Sequence, residues 1–354
     1  MAFRREGAFL IRAARFPGEG LRPLALWFTG EGLRLLTLFL FALPLHAELT
    51  RFDTGNPADV VPAKLHGPVL HLAGGSRDVD AAYQEVIDRI RGCTDCDTKI
   101  DIVVLRSSGA DGYNEYLHAM RGVDSVTTFV ITDRASPARE DVLTAVRNAE
   151  YVFFAGGDQC NYTRFFNESP LEKAVRDVYA RGGAIGGTSA GMAIQGRAIY
   201  DACTDASAQS ILALADPYND EISFTTDFFD WQYMHDVITD THFAQRDRMG
   251  RLLAFIARQL RELPVDSFLG IAANERTAVL VDERGIATVI GEGPAYFVSG
   301  DHFPEHAVPG EPLTFCGFKI WRAPSGLGFD LVHRPRTGFT SVDVVNGVIL
   351  QNPY

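Results

Sequence analysis

The sequence predicts an α/β protein with a mostly parallel sheet covered on both faces, and three observations carry that prediction. Short apolar runs recur at residues 69–72, 100–105, 127–131, 151–154 and 184–186. Segments with apolar residues at helical spacing separate several of them, and glycine pairs punctuate the turns. Runs that are apolar throughout and alternate with helices imply strands buried on both sides. In such sheets ligands gather beyond the carboxyl ends of the strands.

Taken in order, the run at 69–72 enters the turn Ala73-Gly74-Gly75-Ser76, then a helix with Val79, Ala82, Tyr83, Val86, Ile87 and Ile90 on one face. Val142, Leu143 and Val146 mark a second helix. Leu171, Ala174, Val175 and Val178 mark a third, which ends at Gly182-Gly183. Residues 201–236 are polar and aromatic without a clear period and read as a long loop or insertion. Met249, Leu252, Leu253, Ile256 and Leu260 then define a helix, and from Thr277 onward the pattern is short strands. The expected organisation is a targeting segment at 1–47, a linker at 48–66, a catalytic domain at 67–300 and a β-rich extension at 301–354.

Residues 1–47 carry six arginines before a short apolar run that ends Pro44-Leu45-His46-Ala47. A basic flank, an apolar run and a small terminal residue describe a signal peptide, although the basic stretch is longer than usual. The run falls short of the roughly 20 apolar residues of a membrane span. The expectation is export with cleavage near Ala47, to a periplasmic or extracellular location, with no stable membrane insertion after processing. The net charge of −12 argues against nucleic acid, which needs a basic footprint.

Of the five cysteines, Cys93 and Cys96 are expected to pair locally, as an exported chain allows. As a zinc half-site they lack a second pair, and no metal or cofactor is expected. The odd count leaves a free thiol, expected to be buried.

Gly187-Thr188-Ser189-Ala190-Gly191 follows the run at 184–186 and matches the G-x-S-x-G nucleophile elbow. Small neighbours let the strained turn form, and the helix beyond would present its N-terminus to an oxyanion. A serine needs a base, and His242 lies best, just after Val237-Ile238; His66, His71, His118 and His235 stay open on position alone. Glu275, Asp201, Asp205 and Asp240 are candidates for the carboxylate that orients the imidazole. Backbone N–H groups of Gly157 and Ala190 could form an oxyanion hole, with Gln159 holding a substrate amide. Arg246, Arg248 and Arg251 follow the histidine, and guanidinium groups beside a catalytic site bind carboxylates.

Gly187-Thr188-Ser189-Ala190-Gly191, Gly156-Gly157-Asp158-Gln159 and the run from Asp240 to Leu252 (Asp-Thr-His-Phe-Ala-Gln-Arg-Asp-Arg-Met-Gly-Arg-Leu) together resemble the cyanophycinases, relatives of the aspartyl dipeptidase peptidase E. The resemblance spans about residues 68–298. It implies a flavodoxin-like three-layer sandwich related to class I glutamine amidotransferases, with serine replacing their cysteine. It implies Ser189 as nucleophile, His242 as base and Glu275, in Gly270-Ile271-Ala272-Ala273-Asn274-Glu275, as acid, with Asp205 the alternative. It also implies substrate contacts at Gln159, Asp240, Arg246, Arg248 and Arg251. Thr241 and Met192 depart from the family pattern. The implied partner is a peptide or cyanophycin substrate, cut at aspartyl or β-aspartyl bonds, with a homodimer left open. An esterase would carry a later histidine and an HGGG-type loop, which is not found. A silent binding protein of the same fold is the rival outside enzymes.

Overall fold

The computed structural model describes residues 49–354 apart from Asp205. The targeting segment and Asp205 lie outside the described residues. The first half runs β1 (Thr50–Gly55), β2 (Val69–Ala73), α1 (Asp80–Arg91), β3 (Ile100–Arg106), α2 (Asn114–His118), β4 (Val123–Val130), α3 (Glu140–Asn148), β5 (Tyr151–Phe154), α4 (Gln159–Phe166), α5 (Pro170–Ala180), β6 (Ala184–Thr188) and α6 (Ala190–Ala193). The five expected strands and three expected helices are all present here. Alternate residues of each strand feed opposite cores, as a two-sided sheet requires. Ile102 and Val104 of β3 pack with Val86, Ile87 and Ile90 of α1. Val103 and Leu105 join the cluster containing Val142 and Val146 of α3 and Val175 and Val178 of α5.

The second half runs β7 (Ala198–Tyr200), α7 (Ser210–Ala215), β8 (Phe224–Thr226), β9 (Val237–Asp240), α8 (Met249–Glu262), β10 (Phe268–Ala273), β11 (Thr277–Val281), β12 (Ile286–Gly291), β13 (Ala295–Gly300), β14 (Phe315–Ala323), β15 (Gly328–Asp330), β16 (Thr340–Val345) and β17 (Val348–Ile349). The strands form two mixed sheets rather than one mostly parallel sheet. A nine-stranded sheet has the order β1-β4-β3-β5-β6-β2-β11-β12-β15, and an eight-stranded sheet β17-β16-β14-β13-β10-β9-β7-β8. Parallel pairing holds across β4-β3-β5-β6-β2 and across β10-β9-β7. Elsewhere the pairing is antiparallel; β11 and β12, for example, follow one another through a turn too short for a crossover helix.

Two segments differ from the sequence reading. The expected linker contributes β1, which pairs antiparallel with β4 along its length. The expected loop at 201–236 holds α7 and β8, and its aromatic cluster belongs to the core. Phe228, Phe229, Trp231 and Met234 are buried; Trp231 stacks on Phe229 at 4.6 Å, and its indole N–H donates to Gln195 Oε1 at 3.0 Å. Aromatic rings bury large areas without needing a period, so this packing leaves no pattern in sequence. The strands beyond residue 300 are woven into both sheets, β14 onto β13 and β15 onto β12.

Cys93 pairs with Cys96 as expected. A second disulfide, Cys160–Cys203, ties α4 to the loop after β7. The remaining thiol, Cys316, is exposed rather than buried. Among the described residues no helix is long and apolar enough to cross a membrane, and no group of three or more His, Cys, Asp or Glu could hold a metal ion.

Candidate active site

The two sheets meet where their parallel strands end. Gly74 follows β2, Gly157 follows β5 and Ser189 follows β6; His242 follows β9 and Glu275 follows β10. Backbone bonds stitch these ends together: Ser189 N–H donates to Ala73 O at 3.0 Å, His242 N–H to Gly74 O at 2.8 Å and Gly74 N–H to Thr277 O at 2.9 Å.

Ser189 sits at φ +52°, in a region that costs a non-glycine residue of order 1–3 kcal/mol and persists only where the surroundings enforce it. Its N–H bond to Ala73 and the Ala193 N–H bond to its carbonyl, 2.9 Å, do so. Gly191 is required by close approach, since a Cβ there would lie 2.0 Å from Phe154 O. Gly75 is required too, as its Cβ would fall 2.5 Å from the His242 ring.

Ser189 Oγ lies 2.8 Å from His242 Nε2, and His242 Nδ1 lies 2.7 Å from Glu275 Oε1. The carboxylate fixes the tautomer with the proton on Nδ1 and leaves Nε2 free to accept the serine proton. Of the other histidines left open by position, His71 is buried against Tyr151, its pKa pushed down to about 3 by that burial. His66 and His235 are exposed and His118 is half-buried, on α2. Among the acids, Glu275 bonds to the imidazole. Asp201 instead accepts from Ser223 and Thr225, and Asp240 from Arg251.

Burial pulls the His242 pKa down, with Arg246 and Arg248 adding to the effect, while the Glu275 hydrogen bond pulls it back up. The bond to His242 holds the Glu275 carboxyl below its usual range, assisted by Arg246 and a hydrogen bond from Ser76. The imidazole is therefore neutral at pH 7. For the free enzyme, the acid limb of kcat/KM is expected below about pH 6.5. Glu275→Gln removes the group that favours the imidazolium, so it should move that limb to lower pH as well as slow the reaction. A pH–rate profile of both proteins checks this. A limb that moves up in Glu275→Gln contradicts the assignment.

Ser189 opens into a cavity of about 190 Å³ lined by Gly157, Gln159, Tyr200, Ser207, Thr239, Asp240, Thr241, Arg246, Arg248 and Arg251, among others. Arg251 is buried on its floor, forked onto Asp240 with Nε 2.8 Å from Oδ2, and donates further to Ser207 Oγ at 3.1 Å. Its guanidinium also lies over the Tyr200 ring at 5.1 Å. Asp240 and Arg251 thus neutralise one another and build the floor. Arg248, its side chain 13% exposed, donates to Thr241 O at 2.9 Å, and burial lowers its pKa to about 10. Arg246 is exposed at the rim. The Gln159 amide donates weakly to Tyr200 O at 3.4 Å in the cavity lining. Among the described residues neither Gly157 N–H nor Ala190 N–H has a backbone partner. The α6 helix is a single turn, so any oxyanion would be held by individual N–H groups and not by a long helix dipole.

Ser189, His242, Glu275, Gly157, Ala190, Gln159, Asp240, Arg246, Arg248 and Arg251 come together here, whereas Asp201 bonds to Ser223 and Thr225. Others were missed. Ser76 bonds to the Glu275 carboxylate, Gln245 Oε1 accepts Glu275 N–H at 3.0 Å, and Asn274 Oδ1 accepts Ala244 N–H at 3.0 Å. The signal for Ser76 was its place in the glycine turn after the first parallel strand, where ligands collect.

A paired serine, histidine and carboxylate at strand ends define a hydrolase. The family model for peptidase family S51 matches residues 110–289, and the chain belongs to that family; it is a peptidase. It is 27% identical over 263 residues to the cyanophycinase of Synechococcus elongatus, covering 72% of this chain and 76% of that one. It is 26% identical over 219 residues to the cyanophycinase of Nostoc sp. (strain PCC 7120 / SAG 25.82 / UTEX 2576), covering 60% and 67%. In fold it is similar to the crystal structure of a peptidase from an acI-B1 Actinobacterium, at a TM-score of 0.52 and 16% identity, covering 75% of this chain and 98% of that one.

Proposed function

We propose that this peptidase is an exported serine exopeptidase that hydrolyses aspartyl or β-aspartyl bonds, with cyanophycin its substrate and β-Asp-Arg dipeptides the product. One observation carries the substrate class. The cavity beside Ser189 holds three guanidinium groups against one carboxylate, in a chain whose net charge is −12. Asp240 is forked onto Arg251 and lies 3.6 Å from Arg248, so the three guanidinium groups keep an excess of positive charge, and Arg248 and Arg246 are the cations left to a substrate carboxylate, onto which guanidinium groups fork well.

The distances support a serine mechanism. His242 Nε2 takes the Ser189 proton as Oγ attacks the carbonyl carbon, and the Gly157 and Ala190 N–H groups hold the oxyanion. The imidazolium, stabilised by Glu275, gives its proton to the leaving amine, and an acyl-enzyme remains on Ser189. Water, deprotonated by His242, then releases the acid and restores the serine. The curated relatives are named cyanophycinases, which supports the polymer. A small cavity suits cutting at a chain end. An aspartyl dipeptidase acting on other peptides would use the same contacts. A silent binding protein would have no use for an aligned serine, histidine and glutamate.

Two disulfides support export, because such bonds persist in oxidising compartments. The test is to incubate the purified protein with cyanophycin and with α- and β-aspartyl dipeptides, identifying products by mass. Release of β-Asp-Arg from the polymer is the expected result. Cleavage confined to peptides without aspartate would overturn the substrate class.

A further inference from the structure

Tyr354 reaches back from beyond the last strand to the segment that carries His242 and the cavity arginines. Its hydroxyl accepts Met249 N–H at 2.9 Å and donates to Asp247 Oδ1 at 3.0 Å. Its ring stands edge-on to Phe243, with centroids 6.0 Å apart. Phe243 directly follows the base, Asp247 lies between Arg246 and Arg248, and Met249 opens α8. One side chain therefore holds the segment at three points.

The turn needs holding. Asp247 has φ +47°, unfavourable for a residue with a Cβ, and its other ties are its N–H to Ala244 O at 3.2 Å and a bond from Ser210 Oγ to its carbonyl. Arg248 is fixed independently through Thr241. Arg246 is not: among the described residues its guanidinium has no hydrogen-bonded or ion-pair partner. The direction in which Arg246 leaves the rim is then set by the backbone at 246–247. Burial and the Asp247 carboxylate push the Tyr354 phenol up, so the hydroxyl remains a donor at working pH.

We propose that Tyr354 is a positioning residue for Arg246, acting through the Asp247 turn to keep that guanidinium over the cavity mouth. The strands beyond residue 300 thereby take part in substrate binding. The effect on KM rests on the reading of Arg246 as a ligand for the substrate's carboxylate.

Tyr354→Phe keeps the ring packing and deletes the hydroxyl. With an aspartyl dipeptide as substrate, KM should rise several-fold with kcat close to wild type, while Tm falls by only a few degrees, the stability cost of losing a hydrogen bond to a charged group. Added to Arg246→Ala, the substitution should raise KM no further. A dicarbonyl reagent selective for arginine gives a readout that needs no substrate: Arg246, followed by peptide mass, should be modified several-fold faster in Tyr354→Phe than in wild type. Unchanged labelling overturns the proposal, as do KM effects that multiply with Arg246→Ala, or a fall in Tm with KM unmoved. If wild type cleaves no aspartyl peptide, the substrate reading fails, and labelling alone still decides the role of Tyr354.

Discussion

Ser189→Ala should lower the rate of peptide hydrolysis by about 10⁴-fold or more, the scale on which nucleophile deletions act when serine and base work as one unit. Fold and substrate binding should survive. Ser189 holds its place through backbone bonds, to Ala73 O at 3.0 Å and from Ala193 N–H at 2.9 Å, and alanine keeps both. The strained φ of +52° is imposed by the turn and is no harder for alanine to adopt. Arg248, Arg251 and Gln159 take their bonds from other groups and lose no partner. The measurement is turnover by mass together with ligand binding by calorimetry. Retained turnover would remove Ser189 from the chemistry. Lost binding together with lost turnover would show that the hydroxyl also anchors substrate. His242→Ala should match the loss within an order of magnitude, because among the described residues His242, 2.8 Å away, is the base hydrogen-bonded to Oγ.

The parallel half of the fold was legible where a strand is a short apolar run and a helix, as in α1, α3 and α5, shows its buried stripe as a repeat; the shorter α2, α4 and α6 left no such pattern. Ser189 and His242 stood out for a related reason, whereas Glu275 was separated from the other carboxylates only by the family resemblance. A site at strand ends puts its residues directly after apolar runs, where a serine or histidine stands out. Of the antiparallel flanks, the short strands after Thr277 were legible as strands but their pairing was not, and a hairpin strand such as β15, three residues long, carries almost no pattern. The Cys160–Cys203 pairing joins residues 43 apart in sequence, which no local spacing announces. The charge balance within the cavity was also invisible. Arg246, Arg248 and Arg251 look alike in sequence, yet one is exposed, one is half-buried and bonded to Thr241, and one is sunk into the floor against Asp240. Depth below the surface separates their roles, and only the fold supplies it.

The floor gives the largest expected change in stability. Asp240 and Arg251 have side chains only 4% and 3% exposed, and removing one partner of such a pair strands the other charge without water. Asp240→Ala should therefore cost about 3–5 kcal/mol; at roughly 2–4 °C per kcal/mol for a chain of this size, Tm should fall by the order of 10 °C. Ser207 and the rings of Tyr200 and Phe255 cushion Arg251 but carry no negative charge, so they cannot replace the carboxylate. The double variant Asp240→Leu with Arg251→Met separates structure from function. Exchanging both charges for apolar groups of similar volume leaves no unpaired ion, and such exchanges are often neutral, so Tm should return most of the way. Activity should not return with it. Without the pair, Arg248 loses the carboxylate 3.6 Å away, and Ser207 loses the guanidinium that ties the loop after β7 to the floor. A stable, inactive double variant would mark the pair as the template of the binding site. A double variant that is both stable and active would reduce it to a packing element.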